Sequence, residues 1–159
     1  GHIGHREAYA IMREDLNAFF GQYHGIRAAI VPGPEIRYGV LKPIESSEKA
    51  RGLLQEGLGV DKPAGAGEYR FANAQYRSQL YGLMAQTALG RATDVELDDV
   101  PLVDSTGIDP ELRIAIHFPK AMLGGWPLER INTELGRYGL IIQIHDGRPP
   151  LLAIKEEAR

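Results

Sequence analysis

The run Leu112-Arg113-Ile114-Ala115-Ile116-His117-Phe118 sets large apolar side chains against Arg113, Ala115 and His117 in strict alternation. A period of two marks a strand with one face buried and one open. Pro127 to Tyr138 then changes period. Leu128, Ile131 and Leu135 recur at helical spacing, Pro127 suits a first helical turn, and Gly139 closes the element. Leu140 to His145 and Leu151 to Lys155 flank Asp146-Gly147, which reads as a hairpin turn. Strand, helix and hairpin in succession predict an α+β fold: helices alternating with short antiparallel strands and hairpins, each helix packed on one face of a small sheet.

The same grammar extends towards the N-terminus. From about His5 to Tyr23 the spacing of Ala8, Met12, Leu16, Phe19 and Phe20 predicts a helix with those residues inward and Arg6, Arg13, Glu14 and Asn17 on the other faces. Ile26 to Val31 and Glu35 to Leu41 read as strands, joined into a hairpin by Pro32-Gly33-Pro34. Ser46 or Ser47 caps a short helix through Leu54. The glycine-rich segment 57–67 reads as a mobile loop, followed by a short strand, Tyr69 to Ala72. Asn73 is placed to cap a helix from Ala74 to about Leu89, with Leu80, Leu83, Met84 and Thr87 on one face and Gly90 as its stop. The whole, residues 5–159, is expected to be a single α+β domain, with possible sub-units 5–56 and 67–159 joined by the 57–67 loop.

Composition narrows the function classes. A net charge of −3 with scattered Lys and Arg offers no clustered positive charge for nucleic acid or an anionic membrane. The absence of cysteine removes disulfides, zinc–thiolate sites and thiol nucleophiles. No apolar run approaches the roughly 20 residues that a membrane-spanning helix needs. The first residues, Gly1-His2-Ile3, read as the remnant of a cleaved tag, so an upstream signal or anchor is left open.

The motifs that could carry chemistry mostly fail on spacing. Asp104-Ser105-Thr106-Gly107 has two hydroxyl residues between Asp and Gly where an aspartic-protease loop has one, and no second copy supplies a partner carboxylate. It reads as a turn in which Asp104 accepts local backbone hydrogen bonds and Gly107 takes a positive φ. His5, His24, His117 and His145 form no zinc signature, although His117 and His145 lie on strands that could be sheet neighbours. His2 and His5, beside the tag remnant, are candidates only for adventitious metal. The acidic run Asp94, Glu96, Asp98 and Asp99 lacks the glycine and terminal Glu of a calcium loop and reads as a solvated connection. Gly65-Ala66-Gly67 precedes a strand, the wrong context for a phosphate cradle, and no Gly-x-Ser-x-Gly elbow is present. Trp126, between Gly124-Gly125 and Pro127, is a candidate binding anchor, or a staple over the helix that begins there. Tyr69, Tyr76 and Tyr81 are the other candidate ligand contacts. No catalytic residue, metal or cofactor is nominated.

One longer pattern carries a resemblance. Gly67-Glu68-Tyr69-Arg70-Phe71-Ala72-Asn73-Ala74 leads to a helix stopped by Leu89-Gly90-Arg91; Pro101-Leu102-Val103-Asp104-Ser105-Thr106-Gly107-Ile108 then leads to the strand ending at Phe118. This arrangement resembles the acidobacterial soil-associated protein family over about Gly67 to Glu156, and more loosely from Arg13 to Leu41. The chain departs from it in the inserted acidic segment Thr93 to Asp99, in the helix end Leu135-Gly136-Arg137-Tyr138-Gly139, and in lacking most of the family's N-terminal half. The resemblance implies an exported bacterial domain without established activity, of a type also found appended to membrane-embedded sensor metallopeptidases, and it transfers no functional residue. The expectation is therefore a non-enzymatic extracytoplasmic domain, periplasmic or secreted, that binds or senses an unknown protein or small ligand, with no nucleic acid and no membrane insertion by this segment. The alternatives are a small hydrolase assembled from dispersed residues such as His117, His145 and Asp104, and a structural envelope-assembly module.

Overall fold

Alternation in the Leu112–Phe118 run is borne out: β5 (Arg113–Pro119) buries Ile114, Ile116 and Phe118 and turns Arg113, Ala115 and His117 the other way. The computed structural model describes residues 5–20, 26–60, 62–84, 88–96 and 102–156. Around β5 it places α1 (His5–Phe20), β1 (Ile26–Pro32), β2 (Ile36–Pro43), α2 (Ser47–Gln55), β3 (Glu68–Gln75), β4 (Leu102–Asp104), α3 (Leu128–Gly136), β6 (Leu140–Gly147) and β7 (Pro150–Glu156). The fold is α+β, with three small sheets among the described residues: β1–β7, β4–β2–β6 and β3–β5. Pairing is not uniformly antiparallel, since β4 lies parallel to β2.

Both expected hairpins are replaced by long-range pairs. β1 does not fold back on β2; it runs antiparallel to β7, with Ile26 opposite Glu156 and Pro32 opposite Pro150. β6 does not pair with β7 either, but lies beside β2. Pro32 and Pro34 have no N–H to give a two-residue hairpin, and Gly33 N–H instead donates to the Pro149 carbonyl at 2.8 Å. His117 and His145 consequently sit in different sheets and are not neighbours.

The chain divides into two compact units, Arg37–His145 and residues 3–36 with 146–159. Both flanks of the 57–67 segment belong to the first. In the smaller unit α1 packs on β1, but with a different face from the one its apolar spacing predicts. Met12 (47% exposed) and Phe19 (58%) are open, while Arg13, Leu16 and Asn17 are half-buried. The reason is Asn17: its Nδ2 donates to the Ala28 carbonyl at 3.1 Å and its Oδ1 accepts the Ala28 N–H at 2.7 Å, so the side-chain amide behaves as a neighbouring strand and fixes the rotation of the helix.

The larger unit uses the same device. Asn132 on α3 donates to the Ile142 carbonyl at 2.9 Å and accepts the Ile142 N–H at 2.8 Å. The two asparagines hold matching places in a repeated pattern, Glu14-x-Leu16-Asn17-x-x-Phe20-Gly21-x-Tyr23 and Glu129-x-Ile131-Asn132-x-x-Leu135-Gly136-x-Tyr138. Ile131 and Leu135 enter a core shared with Leu41, Leu54, Leu80, Phe118, Met122 and Leu140. Gly139 (φ +71) ends the helical segment; an added Cβ there would meet Leu53 Cδ1 at 3.2 Å.

The helix expected from Ala74 starts later. β3 runs on to Gln75, with Ala74 opposite Ile114 and Gln75 opposite Arg113, and the ladder shifts register between Phe71 and Ala74. That bulge absorbs Ala72-Asn73, so Asn73 caps nothing. Loop carbonyls do the capping: Tyr76 N–H donates to Leu112 and Arg77 N–H to Pro110, at 2.9 and 3.1 Å. The helix opens as a π-helical segment, Tyr76–Tyr81. Its wide turn brings residues five apart to one side, and Tyr76 and Tyr81 both reach β4. Residues 85–87, including Thr87, lie outside the described residues; Leu80 and Met84 are buried as expected.

Candidate binding cleft

The face of β3–β5 turned away from the core is where a cleft forms. Because Ile114, Ile116 and Phe118 point to the core, Ala115 and His117 point outward, beside Arg70 and Ala72 of β3. Two alanines leave room above the sheet. The chain leaving α2 covers this space with Glu56, Gly57, Val60 and Lys62, and Gly59 N–H donates to the Ala72 carbonyl at 2.9 Å, tying that segment to the bulge. Arg137 and Tyr138, just beyond α3, close one side. The cleft is open to one side and has a volume of about 330 Å³.

Tyr138 is fixed by the strand edge. Its hydroxyl accepts the His117 N–H at 2.7 Å and donates to the His117 carbonyl at 3.2 Å, while its ring meets Phe118 edge-on at 5.3 Å. Burial raises the phenol pKa above its ordinary value. Arg137 Nη1 donates to Glu134 Oε2 at 2.7 Å and to the His117 carbonyl at 3.3 Å.

The polar groups on the floor are less well satisfied. His117 Nε2 lies 2.9 Å from Glu68 Oε1, but out of line for a hydrogen bond. Arg70 Nε is buried without a hydrogen-bond partner among the described residues. Buried donors are rarely left so. Glu68 is better placed: the neighbouring imidazole and the Gly65 N–H, 3.1 Å away, hold its carboxyl below the ordinary glutamate pKa.

None of the four aromatic candidates lines this cleft. Trp126 is half-buried against the core with the Arg130 guanidinium 3.9 Å above its ring, and its carbonyl accepts the Thr93 N–H. Tyr69 stacks near Phe71 with Lys120 Nζ 5.6 Å from its ring centre. Tyr81 is half-buried, donating to the Leu102 carbonyl at 2.8 Å. Tyr76 is fully buried. Its hydroxyl donates to Asp104 Oδ2 at 3.0 Å and lies 3.0 Å from Thr106 Oγ1. Burial first, and then the Asp104 charge, push its pKa far up.

The Asp104 turn is as expected from its residues. Asp104 Oδ1 accepts the Thr106 N–H and hydroxyl at 2.9 and 2.7 Å, and Gly107 has φ +70. Thr106 is itself buried, its carbonyl accepting the Ser47 hydroxyl. Asp104, His117 and His145 thus engage three different sets of neighbours, His145 stacking near Tyr38. Asp94 accepts the Leu128 N–H at 2.9 Å and so caps α3 from a distance; Asp98 and Asp99, like His2 and His24, lie outside the described residues. Among the described residues no group of three or more His, Asp or Glu could hold a metal, and no helix is long and apolar enough to cross a membrane.

Arg70, Lys62 and Arg137 were not among the residues singled out from the sequence. The sequence showed only that Arg70 and His117 each fall on the polar phase of an alternating strand; their pairing belongs to the fold. Comparison with protein-family models, with curated proteins and with solved structures gave no match.

Proposed function

We propose that this chain is a non-enzymatic binding module that takes a small ligand into the cleft on the outer face of β3–β5. The observation that supports it is the buried Arg70 Nε without a partner, on the floor of a space of ligand size with apolar and polar walls. That donor is closed to solvent in this conformation, so a ligand's acceptor reaches it as the Arg70 side chain turns into the space. The remaining polar clusters support no competing site, because the Asp104–Thr106–Tyr76 group is internally satisfied. An extracytoplasmic setting is part of the proposal; its support is the resemblance of the Gly67–Glu156 pattern to an exported family.

A thermal-shift screen of small metabolites tests the reading. A ligand at a hundredfold excess over its Kd adds about 2.7 kcal/mol and raises Tm by several degrees. Its amide perturbations should concentrate at Arg70, Ala115, His117 and Tyr138. Hits that map elsewhere, or turnover of a hit, would overturn it.

A further inference from the structure

The chemistry of the cleft walls narrows the ligand class. Three of the ionised side chains lining it are cations, Lys62, Arg70 and Arg137, against the single acid Glu56. Glu134 and Glu68 stand at the periphery, each already engaged: Glu134 with Arg137, Glu68 with the Gly65 N–H and beside His117. Cations thus outnumber acids three to one among the lining residues themselves, and the two peripheral acids bring the wider balance to even. The two groups with spare donor capacity are also the best matched to an oxyanion. A guanidinium offers its donors in a planar fork that fits carboxylate or phosphate. Arg137 donates through Nη1, while the buried Arg70 Nε has no partner among the described residues. Beside them, the side chains of Ala72, Ala115 and Val60 give an apolar surface.

We propose that the cleft takes a small organic anion, a carboxylate or a phosphate monoester, with its charged end against Arg70 and its short apolar part over Ala72 and Ala115. This rests on the cleft being the ligand site. The anion supplies the acceptor that Arg70 Nε lacks, and Lys62 and Arg137 supply the surrounding positive field.

The test is an NMR titration of the whole ¹⁵N-labelled chain, following the Arg70 Nε–H signal directly. The probes are butyrate, butyl phosphate and neutral butyramide at constant ionic strength. The expected result is a saturable shift with one or both anions and none with butyramide; which anion saturates first separates the two chemistries. Arg70→Gln should weaken binding at least about tenfold, and Arg70→Lys, which keeps charge without the fork, less so. Lys62→Gln, at an exposed side chain, should weaken it by a smaller factor and is informative even where an Arg70 variant fails to fold. Butyramide binding as well as the anions would overturn the anion class and leave the cleft standing. No saturable response to these probes, with metabolite hits still mapping to the cleft, would overturn the anion class alone; no response to either set would overturn both.

Discussion

Arg70 and His117 stand directly opposite each other in the β3–β5 ladder; among the described residues the buried Arg70 Nε has no hydrogen-bond partner, while His117 Nε2 lies 2.9 Å from Glu68 Oε1. The unpartnered donor on Arg70 is a local cost that the fold carries. Removing an unsatisfied buried donor removes its desolvation cost, about 1–3 kcal/mol. Arg70→Met, of similar length and apolar, should therefore leave the urea midpoint unchanged or raise it while abolishing anion binding. A loss above about 1 kcal/mol would mean that the guanidinium stabilises the empty protein.

Tyr76 presents the opposite case, a buried group with every bond in place. Tyr76→Phe keeps the ring and its packing but deprives Asp104 Oδ2 of its donor in a buried setting. The expected cost is about 1–3 kcal/mol by urea denaturation with an unchanged m-value. A cost near zero would show that water replaces the phenol.

Asn132 and Asn17 each serve both polar groups of one strand peptide. Asn132→Ala should cost roughly 1–3 kcal/mol, since Ile142 is buried and its N–H and C=O would be left without those partners. Asn132→Asp keeps one acceptor but sets a carboxylate against the Ile142 carbonyl, so it should not rescue. Equal stability of the Asp variant and the parent would contradict this geometry. Chemical denaturation of both variants decides it.

Glu68 should titrate below the ordinary glutamate range, because the His117 imidazole and the Gly65 N–H favour its charged form. A carboxyl whose pKa is lower folded than unfolded adds stability above the unfolded value, and that stability is lost as pH falls through the folded one. His117→Ala should move the midpoint back up, read from the Glu68 side-chain carboxyl in a pH series. An unmoved midpoint would leave the Gly65 N–H and the Arg70 charge as the causes.

What could be read from the sequence was whatever local periodicity decides. β5, α3 and the Ser46-capped α2 follow from spacing and capping chemistry, and the Asp104 turn follows from its residue types. Strand partners do not follow, because a Pro-Gly-Pro segment signals a bend without saying whether the flanking strands meet. The face of α1 was misread for a related reason: apolar spacing favoured Met12 and Phe19, while a polar Asn17 actually sets the docking. Its counterpart at Asn132, in a matching run of residues, was the signal that could have corrected this. The cleft was invisible because Lys62, Arg70 and Arg137 come from separate segments that only the folded sheet and its covering turn bring together.

The pairing of β1 with β7 has a consequence for biosynthesis. Ile26–Pro32 finds its strand partner in Pro150–Glu156, more than a hundred residues further along the chain. On a ribosome the earlier strand must wait, unpaired, until Pro150–Glu156 has emerged, and contacts of such sequence separation form slowly. A nascent chain arrested before residue 150 should therefore hold Ile26–Pro32 in a protease-sensitive, chaperone-accessible form, and release from arrest should protect it.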